Sequence, residues 1–380
     1  MIIRTLASLA VLLGFALTAY FTVPQIKSAL LTVGFISEMI PDIPVKPLSW
    51  FSSTPNREKV IYGGKYEPLE ADLYLPGEID QPKGAILLFL GVNPAGRDDP
   101  RVISVGESLA RIGIVTMIPW STEMTSNKVT ESEIENVAAA FDFLVKHEFV
   151  DSNRVGLAGF CVGASIVLMA AQEDSIRNKV QLVSSFGAYY DARSLVVSVI
   201  SKTASYGGDV RTWEPSNLSN EVVRSHMIDW GSLAGERELL KHALGELDNG
   251  SNLLGSLTSE TVSTYKLLTA PSGNRARVLS LMESMPPRAD YFMTKVSPSV
   301  DMEFLEANVY IMHDVEDSMI PVEESRMIRN AIDPLKIKKY TEFRLFDHVD
   351  PERPLGHVEF LKEIYRLFLH VNGIIGELTE

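Results

Sequence analysis

Gly159-Phe160-Cys161-Val162-Gly163 frames the single cysteine of this chain with a glycine two positions before it and another two positions after it. A cysteine in that frame can act as a nucleophile. Small residues at those two positions let a strand and a following helix close tightly around a turn, which pushes the central side chain out above a sheet. At the head of a helix the positive end of the helix dipole favours a thiolate. The backbone N–H of Val162 would then point at an oxyanion formed on an attacked carbonyl. The alternative reading of Cys161 is a small buried hydrophobe, since free cysteine is often buried.

A cysteine nucleophile needs a base to take its proton and an acid to orient that base. The elbow resembles that of the α/β-hydrolases, and the resemblance implies the chain order nucleophile, acid, base. The acid should follow a late strand and the base should follow the last one. Asp317 lies four residues past His313, where a strand is expected to end, and four before Pro321. Asp314 and Glu316 compete with it and read as surface charges or turn residues. His348, two residues beyond the expected last strand, is preferred as base to His357, which begins the closing helix nine residues later. His313 reads as structural, and His147, His226, His242 and His370 as surface or packing residues. A second oxyanion donor is expected in the loop after Gly91, with the N–H of Val92 first and that of Asn93 next.

The elements that must hold these residues follow from the apolar pattern. Residues 154–160 read as a buried strand and 162–172 as a helix without a breaker. The run GAILLFLG at 84–91 has the continuous apolar character of a central parallel strand. An antiparallel pair is expected at 58–62 and 70–74, and further strands at 114–118, 180–186, 307–313 and 341–346. Helices are expected at 102–111, 131–146, 322–331 and 358–371. This alternation predicts a doubly wound, mostly parallel sheet. From 190 to 305 no strand pattern is clear, and helix-like segments at 220–228, 234–247, 258–268 and 277–283 predict a helical cap inserted into the sheet domain. Trp213, Trp230, Met282, Met285 and Met293 either line an acyl or lid pocket there or pack its helices together.

Residues 5–23 form an uncharged, mostly apolar run of 19, bounded by Arg4 and Pro24. As a helix this run would be about 28 Å long, enough to cross a hydrocarbon core. Thr18-Ala19-Tyr20-Phe21 is a poor cleavage site, so a retained transmembrane anchor is preferred to a cleaved signal peptide. The short N-terminal tail places the catalytic part outside the cytoplasm in this reading. Residues 26–40 are too broken to span and would lie along the membrane surface or over the active-site entrance. Four prolines mark 41–55 as a linker. The expected organisation is an anchor at 1–25, a juxtamembrane segment and linker at 26–55, a core at 56–189 and 306–380, and a cap at 190–305.

A net charge of −14 argues against nucleic acid as a partner. One cysteine excludes an intramolecular disulfide, and no C-x-x-C or H-E-x-x-H spacing supports a metal.

On these residues the chain resembles the α/β-hydrolase superfamily, and its cysteine elbow is most similar to the dienelactone hydrolase family. That family's G-x-C-x-G is matched by Gly159, Cys161 and Gly163. Its acid lies in an H-G-x-x-D-x-x-V-P-like segment, matched at 313–321 with Asp317 as the acid, Asp314 for the usual Gly and Ile320 for the usual Val. His348 follows Asp317 by 31 residues, close to the family's spacing. The resemblance covers 58–371 apart from the cap. It implies an α/β-hydrolase fold and a hydrolase of carboxylic esters, lactones or thioesters. A Cys161–His348–Asp317 triad would form an acyl-cysteine, with the amides of Val92 and Val162 as the oxyanion hole and no cofactor. The rival readings are an acyltransferase using the same triad, and a non-catalytic binding protein of this fold in which Cys161 is buried and inert.

Overall fold

The computed structural model describes residues 24–41, 43–64, 67–92, 95–245, 253–349 and 353–380. A hairpin of β1 (Asn56–Gly63) and β2 (Pro68–Leu75) precedes β3 (Lys83–Phe89), β4 (Val115–Pro119), β5 (Val150–Phe160) and β6 (Leu182–Phe186). A separate small hairpin pairs β7 (Thr203–Tyr206) with β8 (Asp209–Thr212), and β9 (Asn308–Asp314) and β10 (Ile337–Phe343) complete the strands. The eight-stranded sheet runs β1-β2-β4-β3-β5-β6-β9-β10. β2 is antiparallel to both β1 and β4, and every other neighbouring pair is parallel. β3, β4 and β6 are buried along nearly their whole length, as parallel strands covered on both faces must be. β5 lies between β3 and β6, so the turn that carries Cys161 emerges from the middle of the sheet.

Helices cover both faces. α1 (Pro24–Met39), α2 (Pro100–Arg111) and the closing helix lie on one side. α3 (Ser132–Val145) and α4 (Val162–Ala170) lie on the other. α2 starts at a sharp signal, with Asp99 accepting from the N–H of Arg101 at 2.9 Å and Pro100 in the first turn. Between β6 and β9 stand α5 (Ala192–Ser201), α6 (Asn217–Gly231), α7 (Arg237–Gly245), α8 (Ser259–Leu268), α9 (Arg275–Met282) and α10 (Pro287–Lys295). The chain ends with α11 (Val322–Ala331) and α12 (His357–Thr379). Trp213, Met227, Met282, Met285 and Met293 are buried in the same apolar cluster as α4 and Cys161, so the interior of the inserted region is continuous with that face of the sheet.

Several elements differ from the sequence expectation. The β7–β8 hairpin turns on Gly207-Gly208, both at positive φ, which is the demand of a tight two-residue hairpin turn. Its strands are only four residues long, and β8 is wholly exposed, so they carry no apolar alternation to read. α10 starts at Pro287, because proline suits the first helical turn as well as it suits a loop. β10 begins earlier and ends earlier than 341–346. It is an edge strand, and its Lys338 and Lys339 hide the pattern.

Among the described residues no helix is long and apolar enough to cross a membrane. The expected anchor at 5–23 lies outside the described residues.

Candidate active site

Cys161 joins β5 to α4 with φ 55° and ψ −133°, a backbone conformation that non-glycine residues rarely adopt. The turn is held from below by the Cys161 N–H donating to the Phe186 carbonyl at 2.8 Å. A Cβ on Gly159 would meet the Gly163 carbonyl oxygen at 2.5 Å, and one on Gly163 would meet the Phe89 carbonyl oxygen at 2.5 Å. Backbone therefore occupies the space where either side chain would go, which is the physical reason for the spacing read from the sequence. The cysteine is buried, with 7% of its surface exposed.

Asp317 and His348 come together from the turn after β9 and the loop after β10. His348 Nδ1 is 2.6 Å from Asp317 Oδ2. The other carboxylate oxygen, Oδ1, accepts from the N–H groups of Met319 at 2.6 Å and Ile320 at 3.0 Å. His313 Nε2 donates to the Ile320 carbonyl at 2.8 Å and stands 3.4 Å from Asp317 Oδ2. Burial works against charge on Asp317. The charge of His348 and the hydrogen bonds from His313 and His348 outweigh it and hold the carboxyl well below the usual carboxylate range. Burial likewise works against a charged imidazole, yet Asp317 and Cys161 together raise His348 well above its ordinary value. His348 Nε2 is buried and has no hydrogen-bond partner among the described residues. His348 lies five residues after β10 ends, not two, with a φ of 58°, and its ring lies against Gly187 just beyond β6, where a Cβ would stand 3.4 Å from Cε1. His357 is exposed in the first turn of α12.

Gly91 lies directly against the elbow: a Cβ there would come within 3.0 Å of Cys161 Cβ and 3.2 Å of the Val162 nitrogen. Val162 is the first residue of α4, so its N–H has no acceptor within the helix. Val92 follows Gly91 and is half-buried, while Asn93 lies outside the described residues. The far side of this loop is clamped. Arg97 pairs with Asp72, which also accepts from Arg57 Nη2 and Trp120 Nε1 at 2.8 Å each. Burial opposes the Asp72 charge, and the bonds from Arg57, Arg97 and Trp120 override it and lower its pKa.

Sequence reasoning missed two supporting residues. Asp314 is fully buried and is not a surface charge. Its oxygens accept from the N–H of Glu316 at 2.9 Å and of Phe346 at 3.0 Å, tying the acid turn to the histidine loop. Arg353 adds an ion pair at 3.1 Å. Nothing local in the sequence marks Asp314 for burial. Trp213 donates its indole N–H to the Asp317 carbonyl at 2.7 Å, so it braces the acid. Met282, Met285 and Met293 are packing residues. Trp230 does face open space, a cleft of about 1110 Å³ that it lines with Glu131, Glu173, Phe292, Lys295 and Phe304. None of Cys161, Asp317 and His348 lines that cleft. Among the described residues no cluster of His, Cys, Asp and Glu is placed to hold a metal ion.

No family model matches the sequence, and no curated protein matches it. Solved structures do. A puromycin-hydrolyzing peptidase of Mycobacterium tuberculosis superposes on 89% of this chain and 41% of its own, at 13% identity and a TM-score of 0.52. An acylaminoacyl peptidase, solved with Z-Gly-Gly-Phe-chloromethyl ketone, superposes on 84% of this chain and 41% of its own, at 13% identity and a TM-score of 0.50. A putative dienelactone hydrolase from Klebsiella pneumoniae covers 84% of this chain and 98% of its own at 11% identity, but its TM-score of 0.45 is too low to bear on the family. The chain thus spans about two fifths of the length of the two peptidases. At these identities the likeness is one of fold. The chain has the α/β-hydrolase fold.

Proposed function

We propose that this protein is a membrane-anchored hydrolase that cleaves carboxylic esters, lactones or thioesters through an acyl-cysteine. One observation carries the reading: His348 Nδ1 is bound to a buried carboxylate at 2.6 Å, and the opposite ring nitrogen is buried without a partner beside a cysteine at a strained strand-to-helix turn. His348 takes the Cys161 proton, or holds it in a thiolate–imidazolium pair. The sulfur attacks the acyl carbonyl, and the amides of Val92 and Val162 hold the oxyanion. The adduct collapses as His348 gives its proton to the leaving oxygen or sulfur. His348 then takes a proton from water, whose oxygen attacks the thioester and releases the acid and the free thiol. Asp317 fixes the imidazole tautomer and stabilises its charged form throughout.

Two of the superposed proteins are peptidases by name. For a cysteine on this fold esters are the better substrates. Thiolate leaves a tetrahedral adduct more readily than an amine does, so an amide adduct tends to fall back to reactants. The anchor is residues 5–23, with the catalytic domain outside the cytoplasm.

Hydrolysis of short and medium p-nitrophenyl esters tests the reading, with wild type run beside Cys161→Ala and beside protein alkylated by iodoacetamide. The chain has one cysteine, so one adduct suffices. Activity lost in both treatments supports the acyl-cysteine. Activity that survives both removes Cys161 from the mechanism, and a folded but inert wild type favours the binding-protein rival.

A further inference from the structure

α1 carries apolar residues on both its sides: Ile36 is buried, with Leu31 and Phe35 packed against the core, and a second set faces outward beside Lys27. Its buried side carries Ser28, Thr32, Gly34, Ile36 and Ser37, and the Ser28 and Thr32 hydroxyls each reach Asn372 Oδ1 of α12 at 3.2 Å. Its outer side carries Ile26, Leu30 and Val33, at the spacing of one helical stripe, with about half of Leu30 and Val33 exposed. Beside it, α12 turns outward Val358, Leu361 and Tyr365, again one stripe, each more than 60% exposed. A separate short helix at Leu48–Phe51, nine residues beyond the end of α1, ends in Trp50 and Phe51, which are 67% and 82% exposed with their rings edge to face. Single exposed apolar residues are ordinary, whereas an outward stripe on each of two helices that pack together, with an aromatic pair on the segment that follows α1, is not.

We propose that this face, formed by α1, α12 and the Trp50–Phe51 tip, lies in the interfacial layer of a lipid bilayer. The occupant follows from the chain that precedes it. The uncharged run 5–23 ends one residue before α1 begins, so a bilayer holding that run meets α1 at its surface. Trp50 and Phe51 are the residue types that settle at the boundary between headgroups and acyl chains. Protein with a net charge of −14 gains little from anionic headgroups, so the contact is apolar insertion and not charge attraction. This inference rests on the anchored reading and adds to it: the hydrolase lies against the membrane by one sheet face instead of hanging from a tether.

The test uses the full chain in vesicles of phosphatidylcholine. Cys161→Ser provides a background in which Leu30→Cys, Leu361→Cys or, as control, Val210→Cys on the exposed β8 strand takes an environment-sensitive fluorophore. The expected result is blue-shifted emission at 30 and 361 and quenching by acyl-chain spin labels several-fold stronger than at 210. Water-like emission at all three sites, in protein that stays with the vesicles through an alkaline carbonate wash, overturns the face and leaves the anchor standing. Protein that does not stay with the vesicles overturns both. Blue-shifted emission without lipid quenching means that protein, such as a second copy of the chain, covers the face, and also overturns the proposal.

Discussion

Asp317→Asn separates orientation of the base from support of the fold. The carboxylate accepts on both sides: two backbone N–H groups at Oδ1, and His348 Nδ1 at 2.6 Å with His313 nearby at Oδ2. An asparagine keeps its oxygen on the side with two backbone donors, because the other orientation would set its NH₂ against both. Its NH₂ then faces His348 Nδ1, which must become the acceptor. The proton moves to Nε2, and the ring can no longer accept one from Cys161. Loss of the buried charge also removes the larger of the two charges that hold His348 above its ordinary pKa, leaving Cys161 alone to raise it. Turnover of p-nitrophenyl esters should fall by about 10³- to 10⁴-fold, or about 4–5.5 kcal/mol of barrier. Asp314→Asn is the matched control. It sets an amide against either the Glu316 or the Phe346 N–H, and should lower stability by about 1–3 kcal/mol while costing folded molecules far less activity. The assay is kcat/KM together with thermal melting for both variants. Asp317→Asn within tenfold of wild type while fully folded, or Asp314→Asn as inactive as Asp317→Asn without loss of stability, would refute the assignment.

Gly163→Ala drives a methyl into the Phe89 carbonyl and the backbone of Leu90 and Gly91, and should destabilise by about 1–3 kcal/mol or prevent folding; a melting temperature equal to wild type would contradict the close approach. Trp213→Phe strands the Asp317 carbonyl and should lower stability by about 1–2 kcal/mol with less than about tenfold loss of turnover, read by melting and ester hydrolysis. Glu324 on α11, buried and pushed up to about 7 by burial, accepts from the N–H groups of Tyr190 and Asp191 and from Ser194. Its folded pKa exceeds the unfolded value of about 4.3, so the native state binds the proton more tightly and stability is lost as pH rises from there through about 7. Glu324→Gln can accept from both N–H groups and donate to Ser194. It should flatten the fall in melting temperature between about pH 5 and about pH 8, and an unchanged slope counts against the buried carboxylate.

What could be read in advance depended on whether a local rule expressed a tertiary constraint. The elbow was legible because close approach of β3, β5 and α4 leaves no room for a side chain at Gly159 or Gly163, and that demand appears in the sequence as a spacing. β3 and β6 were legible because burial on both faces writes a continuous apolar run. β10 was misplaced because one edge and part of one face meet water, so lysines interrupt it. α5 left no mark beyond its cap, Asp191 accepting from the Ser194 N–H at 3.0 Å, and was not expected. Asp314 was misread because its burial is decided by Phe346, 32 residues away, and no local pattern encodes that bond.

The acid turn is where the core, the base and the inserted region meet. From one side the buried Asp314 holds the histidine loop to it. From the other, Trp213 bonds the Asp317 carbonyl, the Ser216 N–H bonds the Ser318 carbonyl at 2.7 Å, and Ser219 Oγ bonds the Met319 carbonyl at 2.9 Å. Arg211 pairs with Glu323 through two hydrogen bonds just beyond. The opposite root of the insertion is also bonded, with Tyr189 Oη donating to the Val296 carbonyl at 2.6 Å and the Ser299 N–H to the Tyr190 carbonyl at 3.0 Å. At about 0.5–1.5 kcal/mol net for each bond, and more where a buried group is left unpaired, swinging the whole insertion away would disrupt the acid turn as it opened. Motion that admits a substrate and leaves Asp317 in place is therefore confined to the part of the insertion beyond α6, whose His226 accepts from the Val129 N–H of the core at 2.9 Å, while 211–231 and 296–299 stay with the triad.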